Sequence, residues 1–179
     1  MKMNYCMECG TLLHPKSHGE EGVFPWCDTC GAFRYPVFNT AVSLLVADEA
    51  EENILLIRQY GKPDYILVAG YVNQGEDAED AARRELMEEL SLPLTSLRFN
   101  RSRYFAPSNT LMLNFTVHVP VKDACPNREV DDWQWFSLPE ARKAIKPGSL
   151  AEAFLLGWLD GEYHFPVYKS SKRCMEVTV

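Results

Sequence analysis

Three glutamates at helical spacing are the residues of this chain best suited to catalysis. Glu85, Glu88 and Glu89 lie three and four residues apart, which places their side chains on one face of a helix. The alanines that precede them on the same stripe are Ala78, Ala81 and Ala82. Small apolar residues there predict a stripe that faces the protein body, where clustered carboxylates need a compensating charge. Oxygen ligands without Cys or His suit Mg²⁺ or Mn²⁺, whereas a solvated acidic helix face is the alternative.

The entry to this helix is also suited to ligand binding. Gly70 and Gly75 flank residues 71–74, directly after the apolar run 65–69. Glycine tolerates a positive φ and lets backbone approach a ligand closely. A strand, a glycine-bounded loop and an acidic helix therefore form a frame that could hold a metal ion against phosphate oxygens.

Residues 70–92 resemble the Nudix box, GX5EX7REUXEEXGU, in which U is an apolar residue. The matching positions are Gly70, Glu76, Arg84, Glu85, Leu86, Glu88, Glu89 and Leu92. Ser91 stands where the family has glycine, and serine is less suited than glycine to a left-handed helix end. This departure concerns the end of the helix and not the metal ligands. The resemblance implies an α/β fold, a Nudix-type α/β/α sandwich with a mixed sheet.

Two Cys-x₂-Cys pairs near the N-terminus predict a second metal site. Cys6 and Cys9 are separated by 17 residues from Cys27 and Cys30, which is typical of tetrahedral zinc sites. Four thiolates leave no open coordination position, so we predict a structural role for this zinc. The domains expected are a zinc ribbon over residues 1–35, too small to fold without its metal, and a Nudix domain over 36–179.

Composition limits the classes of function. The chain has 179 residues, 46% of them hydrophobic, which is enough for one domain and a small module. A formal net charge of −7 argues against a nucleic-acid-binding protein. Paired cysteines favour a reducing cytoplasm over a disulfide scaffold. No apolar run suggests a membrane span or a signal peptide, so we expect a cytoplasmic protein without a membrane partner.

Apolar periodicity predicts an order of strands and helices along the second domain. The predicted strands are 40–47, 53–60, 65–69, 97–105, 111–121 and 130–136, and the predicted helices are 77–90, 138–145 and 149–159. Strands and helices intermix, which is typical of a single α/β sandwich with a mixed sheet.

The order of a zinc ribbon followed by a Nudix domain resembles the bacterial NADH pyrophosphatases. In that subfamily the box is followed by the motif SQPWPFPxS and LM, which occupies residues 102–112 here. Ser102, Leu111 and Met112 match and Phe105 keeps an aromatic, but the glutamine and the proline pattern are absent. The resemblance implies a dinucleotide-like substrate, with NADH, ADP-ribose and FAD as candidates, and a homodimer.

The same resemblance implies further site residues. Glu129, just before a Trp-containing strand, would complete the metal site together with the backbone carbonyl of Ala69. Tyr35, Phe105 and Ala151 match substrate contacts of the family. Two alternatives stay open: Tyr35 could be a hydrophobic plug between ribbon and domain, and a lone glutamate in a charged turn is commonly just solvated.

Our hypothesis for the chemistry is hydrolysis of the pyrophosphate bond of a nucleoside diphosphate linked to another moiety, which yields two monophosphates. Glu85 and Glu89 would bind Mg²⁺ or Mn²⁺, Glu88 would be a further ligand or a base, and Arg84 would orient a glutamate. Metal-bound water attacks phosphorus more readily because its pKa is lowered.

The rival hypothesis is a non-catalytic module that senses a nucleotide or contacts RNA. The intact set of carboxylates argues against it, since a sensor would be free to lose residues that are costly to keep. Removal of an NAD-type cap from RNA is a further possibility that the resemblance leaves open.

Overall fold

The N-terminal part of the chain forms a small sheet of its own. The computed structural model describes residues 3–120 and 123–163. The first three strands, β1 (His14–Ser17), β2 (Val23–Cys27) and β3 (Ala32–Phe33), pair antiparallel in the order β1-β2-β3. This sheet lies in the segment for which the cysteine spacing predicts a ribbon.

Six further strands form the main sheet. They are β4 (Asn39–Asp48), β5 (Asn53–Gln59), β6 (Val68–Tyr71), β7 (Ser96–Phe105), β8 (Thr110–Val119) and β9 (Val130–Ser137). The order is β7-β8-β4-β5-β9, and β6 also pairs with β4. β4 and β8 run parallel while the other pairs are antiparallel, so the predicted mixed sheet is confirmed.

Strand β4 changes its partner along its length. Ala41 to Leu44 pair with β6, whereas Val46 and Ala47 pair with β5. β5 and β6 therefore pair with different stretches of β4, and the end of β6, which pairs with Ala41, also borders a cavity. The loop that follows β6 leads from this point into the first helix.

Helices cover both faces of the main sheet. α1 (Ala78–Leu90) packs on one face, and α2 (Leu138–Ala144) and α3 (Leu150–Leu159) pack on the other. The alternation of β4 explains the two cores: Val42 and Leu44 point towards α1, whereas Leu45 and Ala47 point towards α2 and α3. The α/β/α sandwich expected from the sequence is therefore confirmed.

The predicted helices agree with the structure to within one residue at each end. The predicted strand 65–69 is displaced, because the pairing of Ala41 with Tyr71 carries β6 through Gly70. Tyr65 and Ile66 make isolated bridges instead. Position 121 and the tail 164–179 lie outside the described residues. Within the described ranges, no helix combines the length and apolar character needed to cross a bilayer.

Candidate active site and cysteine cluster

Helix α1 places its glutamates at different depths. Ala81, Ala82 and Leu86 are fully buried and fix the inner face of the helix. Glu89 belongs to this face and is 4% exposed. The Glu85 side chain is 12% exposed, and that of Glu88, on the flank of the helix, is 56% exposed. The stripe thus faces the protein body, as the alanines predict, and it presents two of its three carboxylates inward.

Gly70, the first residue of the box, lies directly against Glu85. A Cβ built on Gly70 would stand 1.8 Å from Cδ of Glu85 and 2.0 Å from its Oε1. No side chain can occupy that space, so the glycine is required because the Glu85 carboxyl approaches the backbone of β6. Gly75 differs, since it has a φ of 83° and open space around its Cα, and its role is conformational.

Arg84 connects the loop and the helix through five hydrogen bonds. It donates from Nε and Nη2 to the two oxygens of Glu76, at 2.7 and 2.9 Å. Nη1 donates to Glu85 at 2.6 Å and to Glu88 at 3.2 Å, and Nη2 also donates to the Tyr71 carbonyl at 2.9 Å. This bonding holds the pKa of Glu76 at about 2. The guanidinium therefore binds three of the box carboxylates and the end of β6 at once.

Glu129 reaches the same region from the opposite side. The hydroxyl of Tyr60 donates to its Oε2 at 3.1 Å, and Tyr60 itself sits at the end of β5 in a left-handed conformation. A cavity of about 400 Å³ separates this pair from α1. Its lining residues are Ala41, Tyr60, Ala69, Gly70, Tyr71, Asn73, Arg84, Glu85, Glu89, Ser108, Thr110, Met112 and Glu129.

The cavity brings together residues that are far apart in the sequence. Ala69, Arg84, Glu85, Glu89 and Glu129, all singled out by sequence, line it. Glu88 is not among the lining residues. It is linked to the cavity through the hydrogen bond that it accepts from Arg84.

Two tyrosines of the cavity were missed by sequence reasoning. Tyr71 directly follows the box glycine at the end of β6, so its place in the sequence beside Gly70 could have indicated it. Tyr60 carries no such signal, because only the pairing of β5 with β9 brings it towards Glu129.

Glu89 is the most unusual carboxylate of the site. Burial raises its pKa to about 7, and the charges of Glu85 and Glu129 act in the same direction. Its Oε2 is buried and makes no hydrogen bond with the described residues. Such an oxygen, with further carboxylates around it, fits a hard divalent cation. The carboxylate oxygens of Glu85, Glu89 and Glu129 do not all lie within 4.8 Å of one another, whereas the cysteine sulfurs described below do.

The three substrate contacts implied by the family do not line this cavity. The Tyr35 ring packs edge-on against Phe24, with ring centroids 5.2 Å apart, and it lines a separate cavity of about 370 Å³. Phe105 ends β7 and pairs with the cavity residue Thr110. Ala151 lies on α3 and packs against the core on that face of the sheet. All three remain predictions.

The four paired cysteines meet in the small sheet. Their sulfur atoms all lie within 4.8 Å of one another, and none of the four is in a disulfide. Cys6 and Cys27 are buried, whereas Cys9 and Cys30 are exposed. Arg34 Nε donates to Cys6 Sγ at 3.2 Å, and the Cys30 amide donates to Cys27 Sγ at 3.4 Å. Such donors stabilise thiolate charge, so the cluster could hold a metal ion.

This fold and this cavity define a Nudix-type protein: an α/β/α sandwich whose box helix presents carboxylates beside a glycine-bounded loop. The NUDIX domain family model matches residues 37–155. The chain therefore belongs to the Nudix family.

Curated relatives and solved structures agree with this assignment. The chain is 30% identical over 135 residues to the NAD-capped RNA hydrolase NudC of Pseudomonas aeruginosa, which covers 75% of this chain and 48% of the relative. It is 31% identical over 151 residues to the chloroplastic Nudix hydrolase 19 of Arabidopsis thaliana, which covers 79% of this chain and 34% of the relative. The chain thus spans about half or less of these relatives. A NUDIX hydrolase structure from Nitrosomonas europaea has the same fold, with a TM-score of 0.66, 20% identity and coverage of 90% of this chain and 93% of that one.

Proposed function

We propose that this protein is a Mg²⁺- or Mn²⁺-dependent hydrolase. It cleaves the pyrophosphate bond of a nucleoside diphosphate linked to another moiety. The observation that carries the proposal is the buried carboxylate of Glu89: its Oε2 has no hydrogen-bond partner among the described residues, and Glu89 lines a cavity together with Glu85 and Glu129. Three carboxylates around a cavity repel one another unless a cation compensates them. A non-catalytic module that senses a nucleotide has no need of this arrangement, and the hydrolase names of the relatives also favour catalysis.

The carboxylates of the site have different roles in this proposal. Glu85, Glu89 and Glu129 hold the cation together with the backbone carbonyl of Ala69. When bound, the cation neutralises diphosphate oxygens and lowers the pKa of the attacking water. Glu88 is a further ligand or a general base, since its carboxylate is exposed and can accept a proton from water.

Arg84 acts as a positioning residue. Its hydrogen bonds go to protein acceptors on the loop, on β6 and on α1, so its guanidinium is already engaged before any substrate binds. The hydrogen bond from Arg84 fixes the orientation of the Glu85 carboxyl. The positive charge of Arg84 also compensates part of the negative charge of the surrounding glutamates.

The names of the relatives suggest which substrates to test first. Several are NAD-capped RNA hydrolases, so an NAD-type diphosphate, free or at the 5′ end of an RNA, is the leading candidate. ADP-ribose and FAD share the same ADP-linked diphosphate. Residues 102–112 depart from the NADH-type motif, which leaves the choice among these compounds to experiment.

We further propose that the four cysteines bind a structural zinc ion. The thiolate donor set and the close approach of the sulfurs fit tetrahedral zinc.

A cytoplasmic location and a homodimer remain predictions. Size-exclusion chromatography with light scattering tests whether the protein is a homodimer.

The decisive experiment measures monophosphate release from NADH, ADP-ribose, FAD and an NAD-capped RNA, with and without Mg²⁺ or Mn²⁺. Glu89→Gln removes the charge of the buried carboxylate and is expected to lower kcat/KM at least about 100-fold. Glu79→Gln is the matched control, because Glu79 lies on the same helix but is exposed. Absence of monophosphate from all four compounds, or equal activity of the two variants, would overturn the proposal.

A further inference from the structure

The segment between β8 and β9 carries Glu129, and hydrogen bonds attach this segment to the end of α1. The Cys125 amide donates to the Leu90 carbonyl, and the Asn127 amide donates to the Glu89 carbonyl, both at 2.9 Å. Carbonyls in the last turn of a helix have no partner within the helix, so both bonds satisfy acceptors that would otherwise be left to water. The Asn127 side chain in turn accepts from the Glu129 amide at 2.8 Å.

Ser91 adds a third attachment that a glycine could not make. It is the left-handed residue that ends α1, with a φ of 55°, and its amide donates to the Met87 carbonyl at 3.0 Å. Its hydroxyl donates to the Cys125 carbonyl, also at 3.0 Å. Cys125 is therefore held by both its amide and its carbonyl, one to each of two consecutive residues at the helix end.

The left-handed backbone conformation at this position is less favourable for serine than for glycine. Glycine adopts the left-handed region without strain, whereas in other residues the Cβ crowds the backbone there and raises the conformational energy. The family motif has glycine at this position. Ser91 therefore stands where the left-handed turn by itself would favour glycine. What the serine gains in return is the hydrogen bond to the segment that carries Glu129.

We propose that Ser91 is a positioning residue that holds the segment 125–129 against α1 and so keeps Glu129 across the cavity from Glu89. The path has three steps: the hydroxyl holds Cys125, the helix end holds Asn127, and Asn127 holds the Glu129 backbone. The functional part of this inference rests on the proposed role of Glu129 in metal binding. The attachment itself does not, and it can be measured separately.

Two substitutions separate positioning from simple stabilisation. Ser91→Gly removes the hydroxyl and also relieves the backbone strain, whereas Ser91→Ala removes the hydroxyl and keeps the strain. If the hydroxyl positions the segment, both variants need more Mn²⁺ for half-maximal activity, about fivefold, although only the alanine variant melts at a lower temperature. If Ser91 only affected stability, the requirement for metal would follow the melting temperature and Ser91→Gly would resemble the wild type.

Amide hydrogen exchange tests the attachment without any activity. Protection of the Cys125 and Asn127 amides is expected to fall about fivefold in both variants, as the loss of one hydrogen bond implies. Ser149→Ala is the control, because the Ser149 hydroxyl also donates to a backbone carbonyl at a helix end, that of Lys146 at 2.7 Å, but on the other face of the sheet. It should leave the protection of the Cys125 and Asn127 amides unchanged.

The outcomes are distinguishable. Unchanged protection in both Ser91 variants would overturn the attachment. Reduced protection with an unchanged metal requirement would overturn the positioning role. Reduced protection in a protein that hydrolyses none of the candidate substrates would support the attachment and count against the proposed function alone.

Discussion

Replacing Gly70 with alanine perturbs the site at a single atom. The φ of Gly70 is not in the left-handed region, so alanine can adopt the same backbone conformation and the main chain has no reason to move. The new Cβ would stand 1.8 Å from Cδ of Glu85, whereas carbon atoms in contact are about 3.5 Å apart. The Glu85 carboxyl must therefore retreat by roughly 1.7 Å, and it loses its place beside Arg84.

The magnitude of the effect follows from this displacement. A misplacement of about 1 Å at a reacting centre costs about 100-fold in rate, which corresponds to about 2.7 kcal/mol of transition-state stabilisation. Stability changes less, because the hydrogen bond between Arg84 and Glu85 is partly solvated and contributes about 1 kcal/mol. We therefore expect kcat/KM to fall about 100-fold while the free energy of unfolding falls by about 1 kcal/mol.

The assay compares kcat/KM at saturating Mn²⁺ with urea unfolding for the same variants. Gly148→Ala is the control, since Gly148 has a φ of 69° with open space around it and lies away from the cavity. It should lose stability and keep activity. Wild-type kcat/KM in Gly70→Ala would refute the reasoning.

Three further predictions address other parts of the site. Arg84→Lys cannot reproduce the paired bonds to Glu76 and should lower kcat/KM by about 10- to 100-fold, whereas the exposed neighbour Arg83→Lys should have no effect in the same assay. Because burial raises the pKa of Glu89 to about 7 from about 4.5 in the unfolded chain, the folded state binds the extra proton between these values. Without divalent cations, urea unfolding should show that stability falls by about 3 kcal/mol as pH rises through this window, and Glu89→Gln should show no such fall. Elemental analysis should find one zinc ion per chain, which Cys9→Ser greatly reduces and Cys125→Ser leaves in place.

Much of the fold and half of the site could be predicted from local patterns. The helix containing Glu85 and Glu89 was expected at 77–90 and is observed at Ala78–Leu90, because a stripe of small residues and acids has a single helical interpretation. The cysteine pairs were equally informative, since the spacing within each Cys-x₂-Cys turn brings its own two sulfurs together by local geometry. In both cases the information lies within a few residues of the chain.

The rest depends on pairing between distant segments. Tyr60 and Glu129 are 69 residues apart and meet because β5 pairs with β9, which no local pattern specifies. The sequence predicted Glu129 through its resemblance to the family, but it predicted neither its tyrosine partner nor the attachment of its segment to Ser91. It also placed the strand before the box too early, because pairing with β4, and not apolar character, sets where β6 begins and ends.

The sequence by itself determined which chemical groups this protein offers: carboxylates on one helix face, glycines that bound the loop before it, and four thiolates in two turns. Helical periodicity and short turns are local, so their consequences can be worked out without the fold. Only the tertiary structure decided how deeply each carboxylate is buried and which residues face it across the cavity. Burial and the proximity of other charges raise the pKa of Glu89. Both arise from the packing of whole layers, and they exist only once α1 has packed on the sheet.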